Sequence, residues 1–178
     1  MMKKLRRILM TTVLMGLLML ETVYASVFTW AQIPGHHNDS VLLENGESES
    51  CDTINDSARG LRLSTAVLRI INEQDGTLYI SVDTLTHKFV DKIYETVFLD
   101  VWDDNKEDWV QIGYWEFERS KEEEENEELS SYYVGFTVSG CEVNRYYRAR
   151  AMHLVQWGDD MEGKATETNG VLLTDHEV

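Results

Sequence analysis

Asp103, Asp104, Asn105 and Asp108 crowd oxygen-bearing side chains into one short loop, DDNKED, just after Asp100. Hard cations such as Ca2+ take about six to eight oxygen ligands, so this loop is the candidate calcium site. It lacks the glycine and the spaced terminal glutamate of an EF-hand, and Lys106 stands among the acids. The competing reading is a solvated hairpin tip with Asp–Asn turn chemistry. The next residues suited to recognition are Trp109, Gln111 and Trp115, which share parity along WVQIGYWEFER, with Phe117 extending the set. If Val110, Ile112 and Tyr114 point inward, the tryptophans and Gln111 form an outward stripe for stacking on a sugar or meeting a protein. If the faces are reversed, the tryptophans belong to the core.

No residue set makes a catalytic constellation. His36 and His37 are adjacent, and side chains adjacent on a strand point apart, so they chelate poorly together. There is no G-x-S-x-G nucleophile elbow. Acids are too abundant for any pair of them to signal glycosidase chemistry. The run 122–128 reads as a solvated loop. The expectation is a non-enzyme with no catalytic residues and no cofactor other than Ca2+ at the loop. Cys51 and Cys141 are the two cysteines, and a disulfide between them is expected if the chain enters an oxidising compartment.

That compartment is suggested by the first residues. Lys3, Lys4, Arg6 and Arg7 precede a largely apolar run at 8–20, and Val23 and Ala25 suit the −3 and −1 positions of a cleavage site. This is the layout of a secretory signal peptide, and the run is short for a membrane span. The chain is therefore expected to lose residues 1–25, to start at Ser26, and to be secreted to the extracellular space with no integral membrane segment left. The whole 178-residue chain carries a net charge of −16, and removing the basic leader makes the remainder more acidic. Such a surface repels nucleic acid and anionic membranes.

The elements that must position these residues are strands. Residues 26–59 are read as an extended, mobile leader, since 44–60 is rich in Glu, Ser, Asn, Asp and Gly with little to bury. From about residue 60 to 178 the pattern alternates at a regular beat. Leu61, Leu63, Thr65 and Val67 share one face. Leu78, Ile80 and Val82 share the next, after an Asp-Gly turn. Ile93, Val97, Leu99 and Val101 follow, then Tyr132, Val134, Phe136 and Val138. In NRYYRARAMHLVQ, Tyr147, Ala149 and Ala151 alternate against Arg148, Arg150 and Met152, giving a strand with one buried face and one wet, arginine-bearing face. About seven strands joined by hairpin loops make an all-β antiparallel sandwich.

The stretch Tyr147-Arg148-Ala149-Arg150-Ala151 resembles the sixth strand of fibronectin type III and related immunoglobulin-like domains. The resemblance implies an immunoglobulin-like β-sandwich with Tyr147 as its corner tyrosine. Cys141 lies before that strand, so the antibody-type inter-sheet disulfide is not implied. The layout is also similar to small exported proteins of unknown function from Gram-positive, Clostridia-like bacteria, which implies export and no known activity. The functional expectation is an extracellular binding module for a glycan, a wall polymer or a protein. The alternatives are a self-assembling surface protein and, last, a small hydrolase. The oligomeric state is left open.

Overall fold

The computed structural model describes residues 29–37, 40–44, 46–55 and 62–177, and the expected signal segment 1–25 lies outside them. A 3-10 turn at Trp30–Gln32 comes first. Among the described residues nine strands follow: β1 (Glu49–Asn55), β2 (Leu63–Asn72), β3 (Leu78–Thr86), β4 (Lys92–Asp103), β5 (Asp108–Ser120), β6 (Ser131–Val138), β7 (Tyr146–Trp157), β8 (Asp160–Glu167) and β9 (Val171–Leu172). They form two antiparallel sheets. One has the order β1-β2-β3-β6, and the other runs β5-β4-β7-β8 with β9 paired to the start of β7. The chain is an all-β sandwich, and its two central hairpins, β2-β3 and β4-β5, lie in different sheets.

Alternation sets the inward faces, because successive strand side chains point to opposite sides. Leu78, Ile80 and Val82 of β3, Val97 and Leu99 of β4, and Tyr147, Ala149 and Ala151 of β7 meet in one apolar cluster. Burying each large aliphatic chain contributes about 1.5–3 kcal/mol. In β2 the expected phase fails. The register shifts between Leu63 and Thr65, so Ala66, Leu68 and Ile70 turn inward while Val67 turns out. A second cluster gathers Leu63, Ala66, Ile93 and Val155.

Between these two clusters lies a polar layer. Glu95 and His153 face each other across the β4–β7 ladder, and both are fully buried with Thr84 and Thr166. Thr84 Oγ1 donates to Glu95 Oε1 at 2.7 Å and lies 2.9 Å from His153 Nδ1. His153 Nε2 lies 2.9 Å from Thr166 Oγ1. A hydroxyl has one proton, so a Thr84 that donates to Glu95 accepts from His153 Nδ1–H, and Nε2 then accepts from Thr166. Glu95 Oε2 is buried without a partner.

At the start of β7 the Tyr147 hydroxyl donates to the Glu142 carbonyl at 2.9 Å, five residues upstream. This is the corner geometry implied by the resemblance. Burial is the main reason its phenol is pushed up to about 12.

Two expectations are corrected here. The leader does not stay unpaired over its whole length. Residues 49–55 form β1, which runs antiparallel to β2 from Glu49↔Ile71 to Asn55↔Thr65. Ser50 is buried there, and its hydroxyl accepts from Asn169 N–H, so polar residues supply the contacts that apolar counting does not register. The Cys51–Cys141 disulfide is also absent, and both thiols are free. Cys51 sits in β1, in the cross-strand row Cys51↔Arg69, Arg69↔Ser81, Ser81↔Gly135. Cys141 follows β6, at the opposite edge of that sheet. Three strand gaps of about 4.8 Å separate the edges by roughly 14 Å, twice the Cα separation a disulfide tolerates.

Candidate functional site

The outer face of the first sheet carries a solvent-open cleft. Its floor is the row Arg69, Ser81, Gly135, and the neighbouring outward residues are Val67, Asp83 and Tyr133 on one side, Ile71 and Tyr79 on the other. All of these but Gly135 line a cleft of about 320 Å³. Tyr79 and Tyr133 lean over the bare backbone of Gly135, with their hydroxyls 2.8 Å apart. A Cβ at residue 135 would stand 2.0 Å from the Tyr79 hydroxyl and 2.9 Å from that of Tyr133, so glycine is what lets the rings lie there. Tyr133 is 57% exposed. Arg69 makes an exposed contact with Glu49 at 3.6 Å, an arrangement worth little in water. Burial raises the Asp83 carboxyl, offset in part by the Thr84 backbone N–H. The hydrogen bond between the two hydroxyls is the first cause raising the Tyr79 phenol. The cleft thus offers aromatic faces, one hydroxyl floor, one carboxyl and one guanidinium.

The outer face of the second sheet is a different environment. Asp100 accepts from Arg148 Nε at 3.0 Å and from Arg150 through Nε at 2.6 Å and Nη2 at 2.8 Å. Arg148 also donates to Glu167 and to Ser40 Oγ. The Arg148 guanidinium lies 4.7 Å from the Trp109 ring, and that of Arg150 lies 4.9 Å from Trp30 and 5.0 Å from Phe98. Strand carboxylates neutralise both arginines, and the face expected to be wet is not: Arg148 is 5% exposed and Asp100 2%. Residues 29–37 and 40–43 lie over it. Ile33 is buried with Met152 and Ala165, and Trp30, Phe98 and Leu154 pack around them.

The expected tryptophan stripe is divided by a bulge. The register between β4 and β5 passes from Leu99↔Gly113 to Asp100↔Gln111, leaving Ile112 unpaired. Trp109 and Gln111 therefore lie on the outer face, where Gln111 Oε1 accepts from Arg150 at 3.1 Å. Trp115 turns inward, its ring 4.9 Å from that of Phe136. Ile112 and Tyr114, expected inside, are 50% and 61% exposed. A period-two count cannot cross a bulge without reversing.

The acidic loop spends its oxygens on its own chain. Asp103 pairs with Lys106 at 3.0 Å and accepts from Asn105 N–H at 3.0 Å, and these two contacts hold its carboxyl below the usual range. Asp108 accepts from Trp109 N–H at 2.7 Å, and Asp104 and Asn105 are exposed. Among the described residues no group of three or more His, Cys, Asp or Glu side chains is arranged to hold a metal ion. His36 instead meets Asp52 at 2.7 Å, and His37 Nε2 meets the Ile33 carbonyl at 2.8 Å.

Sequence reasoning passed over Glu95, Asp83, Tyr79 and Tyr133. The signal for Glu95 was present: it has the same parity as Ile93 and Val97, an acid on a core face. Burial pushes its carboxyl up to about 8 and pushes the His153 imidazole down to about 3.

No protein family and no curated protein matches this chain. Among solved structures, the crystal structure of Spo0M, a sporulation control protein from Bacillus subtilis, aligns with it at 12% identity and a TM-score of 0.34. The alignment covers 71% of this chain and 49% of that one, so this chain spans about half of that protein's length.

Proposed function

We propose that the chain is an exported, non-enzymatic binding module that takes a neutral glycan on the outer face of its first sheet. The observation that carries this reading is the Tyr79–Tyr133 pair laid over Gly135 beside Ser81, Asp83 and Arg69. A sugar ring presents an apolar C–H face and a rim of hydroxyls. Tyrosine rings offer large rigid contact area at low entropic cost, while short polar side chains exchange hydrogen bonds with the rim. The net charge of −16 weighs against polyanionic ligands and favours an uncharged polymer. The titratable pair with the largest shifts, Glu95 and His153, is sealed from solvent, and the cleft contains one carboxyl where glycoside hydrolysis uses two.

The test is binding of the chain from Ser26 onward to a glycan array, followed by titration of the best ligand. Tyr133→Ala is expected to weaken binding by roughly 30-fold, the effect of an anchoring aromatic worth about 2 kcal/mol, with the far-UV spectrum unchanged. Gly135→Val displaces both rings and is expected to abolish binding. An array with no ligand, or a Tyr133→Ala variant that binds as well as the parent, removes this reading. Export has its own check: protein in culture supernatant should begin at Ser26, and full-length cell-retained protein would refute it.

Self-association is the second reading, favoured by Ile112 and Tyr114 exposed on β5, an edge strand of the second sheet. Sedimentation velocity should then show a mass that rises with concentration and reverts to monomer in Tyr114→Lys.

A further inference from the structure

We infer that the gap between β5 and β6 is a binding site for a small apolar monocarboxylate, in chemical class a medium-chain fatty acid, whose carboxylate pairs with Arg145. The site lies between the sheets and shares no residue with the tyrosine cleft, so the inference does not depend on the glycan reading.

The two open sides of the sandwich are closed differently. Where β1 faces the end of β8, main-chain donors cross from sheet to sheet: Glu167 N–H to Asp52 at 2.8 Å and Asn169 N–H to Ser50 Oγ at 2.9 Å. On the other side the edge strands are β5 and β6, and rings span the gap. Phe136 stands 4.9 Å from Trp115 and 5.4 Å from Phe117. The inward residues there stay half-buried, Trp115 and Phe117 on β5, and Val134, Phe136 and Val138 on β6. Ile112 is bulged outward, and Gly113 and Gly140 bring no side chain to the gap. Beside the rings is a cavity of about 400 Å³. A close-packed interior has few voids larger than a water molecule, and pockets for small molecules run from about 300 to 1,000 Å³.

The lining selects the occupant. Leu99, Val101, Trp115 and Val138 give it apolar walls. Gly113 lets the Trp115 ring lie close, since a Cβ at 113 would stand 3.2 Å from it. Burying an apolar body there removes half-wet walls from water. The polar end of the cavity has exposed Ser139 and Glu142 and half-buried Arg145. Arg145 Nη2 donates to the Trp102 carbonyl at 2.7 Å, which anchors the guanidinium, and Nη1 meets Glu142 at 3.3 Å. The Glu142 side chain is 79% exposed, so that pair is worth little in water. A ligand carboxylate held in place by its own apolar tail displaces Glu142 and takes a charge-assisted bond from Arg145. Arg145 is the cation of the lining. A chain of net charge −16 attracts cations in general, so a preference for an anion at this cavity is the work of Arg145.

Cys141 stands in the cavity wall and reports on it locally, with Cys51 on the far edge strand as the internal control. Octanoate and octylamine are titrated into the protein by calorimetry. Octanoate should bind roughly tenfold tighter than octylamine, and Arg145→Gln should erase that difference. Glu142→Gln, a change at an exposed side chain, should tighten octanoate by removing the competing carboxylate. In the unaltered protein, saturating octanoate should slow alkylation of Cys141 by iodoacetamide roughly tenfold and leave Cys51 at its own rate. Octylamine that binds as well as octanoate overturns the inference. So does octanoate that leaves Cys141 unprotected or slows both thiols alike, whether or not the variants fold.

Discussion

Glu95 and His153 stand opposite each other on β4 and β7, fully buried, and are joined through the Thr84 hydroxyl. Burial sets the cost of ionising Glu95, the Thr84 hydroxyl offsets it only in part, and the charged group acting on it is Asp83, another acid. Neutral glutamic acid and neutral histidine are the folded-state forms at neutral pH.

This pair predicts a stability profile with two limbs. Glu95 is raised from 4.5 to about 8. Between those values the folded state holds a proton the unfolded state has lost, so its contribution is full below 4.5 and lost as pH rises towards 8. His153 is lowered from 6.5 to about 3, so its contribution is full above 6.5 and lost as pH falls towards 3. The slopes have opposite sign and oppose each other between 4.5 and 6.5. The linkage slope is about 1.4 kcal/mol per pH unit for each group. Urea unfolding across pH should show a plateau with falling limbs on both sides. Glu95→Gln should flatten the alkaline limb and be more stable than the parent at pH 8. An unchanged alkaline limb in that variant would refute the assignment.

The ion network on the other face predicts unequal costs for its two arginines. Arg148 bridges Asp100 and Glu167, with side-chain exposures of 6%, 2% and 1%. Arg148→Ala leaves two buried carboxylates short of partners and should cost about 3–5 kcal/mol. Arg150→Ala leaves Asp100 its bond from Arg148 and should cost about 2 kcal/mol. Chemical denaturation of both single variants and the double variant checks this. The double should exceed the sum, because each single variant leaves Asp100 one arginine and the double leaves this buried carboxylate none.

The corner tyrosine gives a smaller, cleaner effect. Tyr147→Phe removes one bond, to the Glu142 carbonyl, and keeps the ring in the core. It should cost about 1 kcal/mol and leave the fold intact. A neutral Tyr147→Phe would mean the carbonyl finds water at no loss.

The sandwich was readable wherever alternation ran unbroken. Leu78, Ile80 and Val82, then Val97 and Leu99, then Tyr147, Ala149 and Ala151, lie inside as their spacing predicts. Two bulges ended that legibility. One, near Leu63, turned Val67 outward, and the other, at Ile112, sent Trp109 and Trp115 to opposite faces. A bulge is set by packing between sheets, which a single-strand pattern does not encode. The tyrosine cleft was hidden for another reason: Tyr79, Arg69 and Tyr133 belong to three strands, and only the pairing register assembles them. The packing of residues 29–37 and 40–43 was hidden because many of its contacts are backbone bonds and polar side chains, and apolar counting scores those as loop.

The free thiols complete the set of predictions. A disulfide closing a loop of about 90 residues would contribute roughly 4–5 kcal/mol in the chain-entropy model. Cys51 and Cys141 lie at opposite edges of the first sheet, so that contribution is absent. Reductant should leave the Tm unchanged, and native protein should titrate for two thiols. Their rates should differ. Cys51 is exposed, whereas burial raises the Cys141 thiol above its usual range and lowers its thiolate fraction. An aromatic disulfide reagent should therefore react in two phases, the slow one lost in Cys141→Ser. A mass two protons lower without reductant, with a Tm that drops when reductant is added, would refute the separation of the two cysteines.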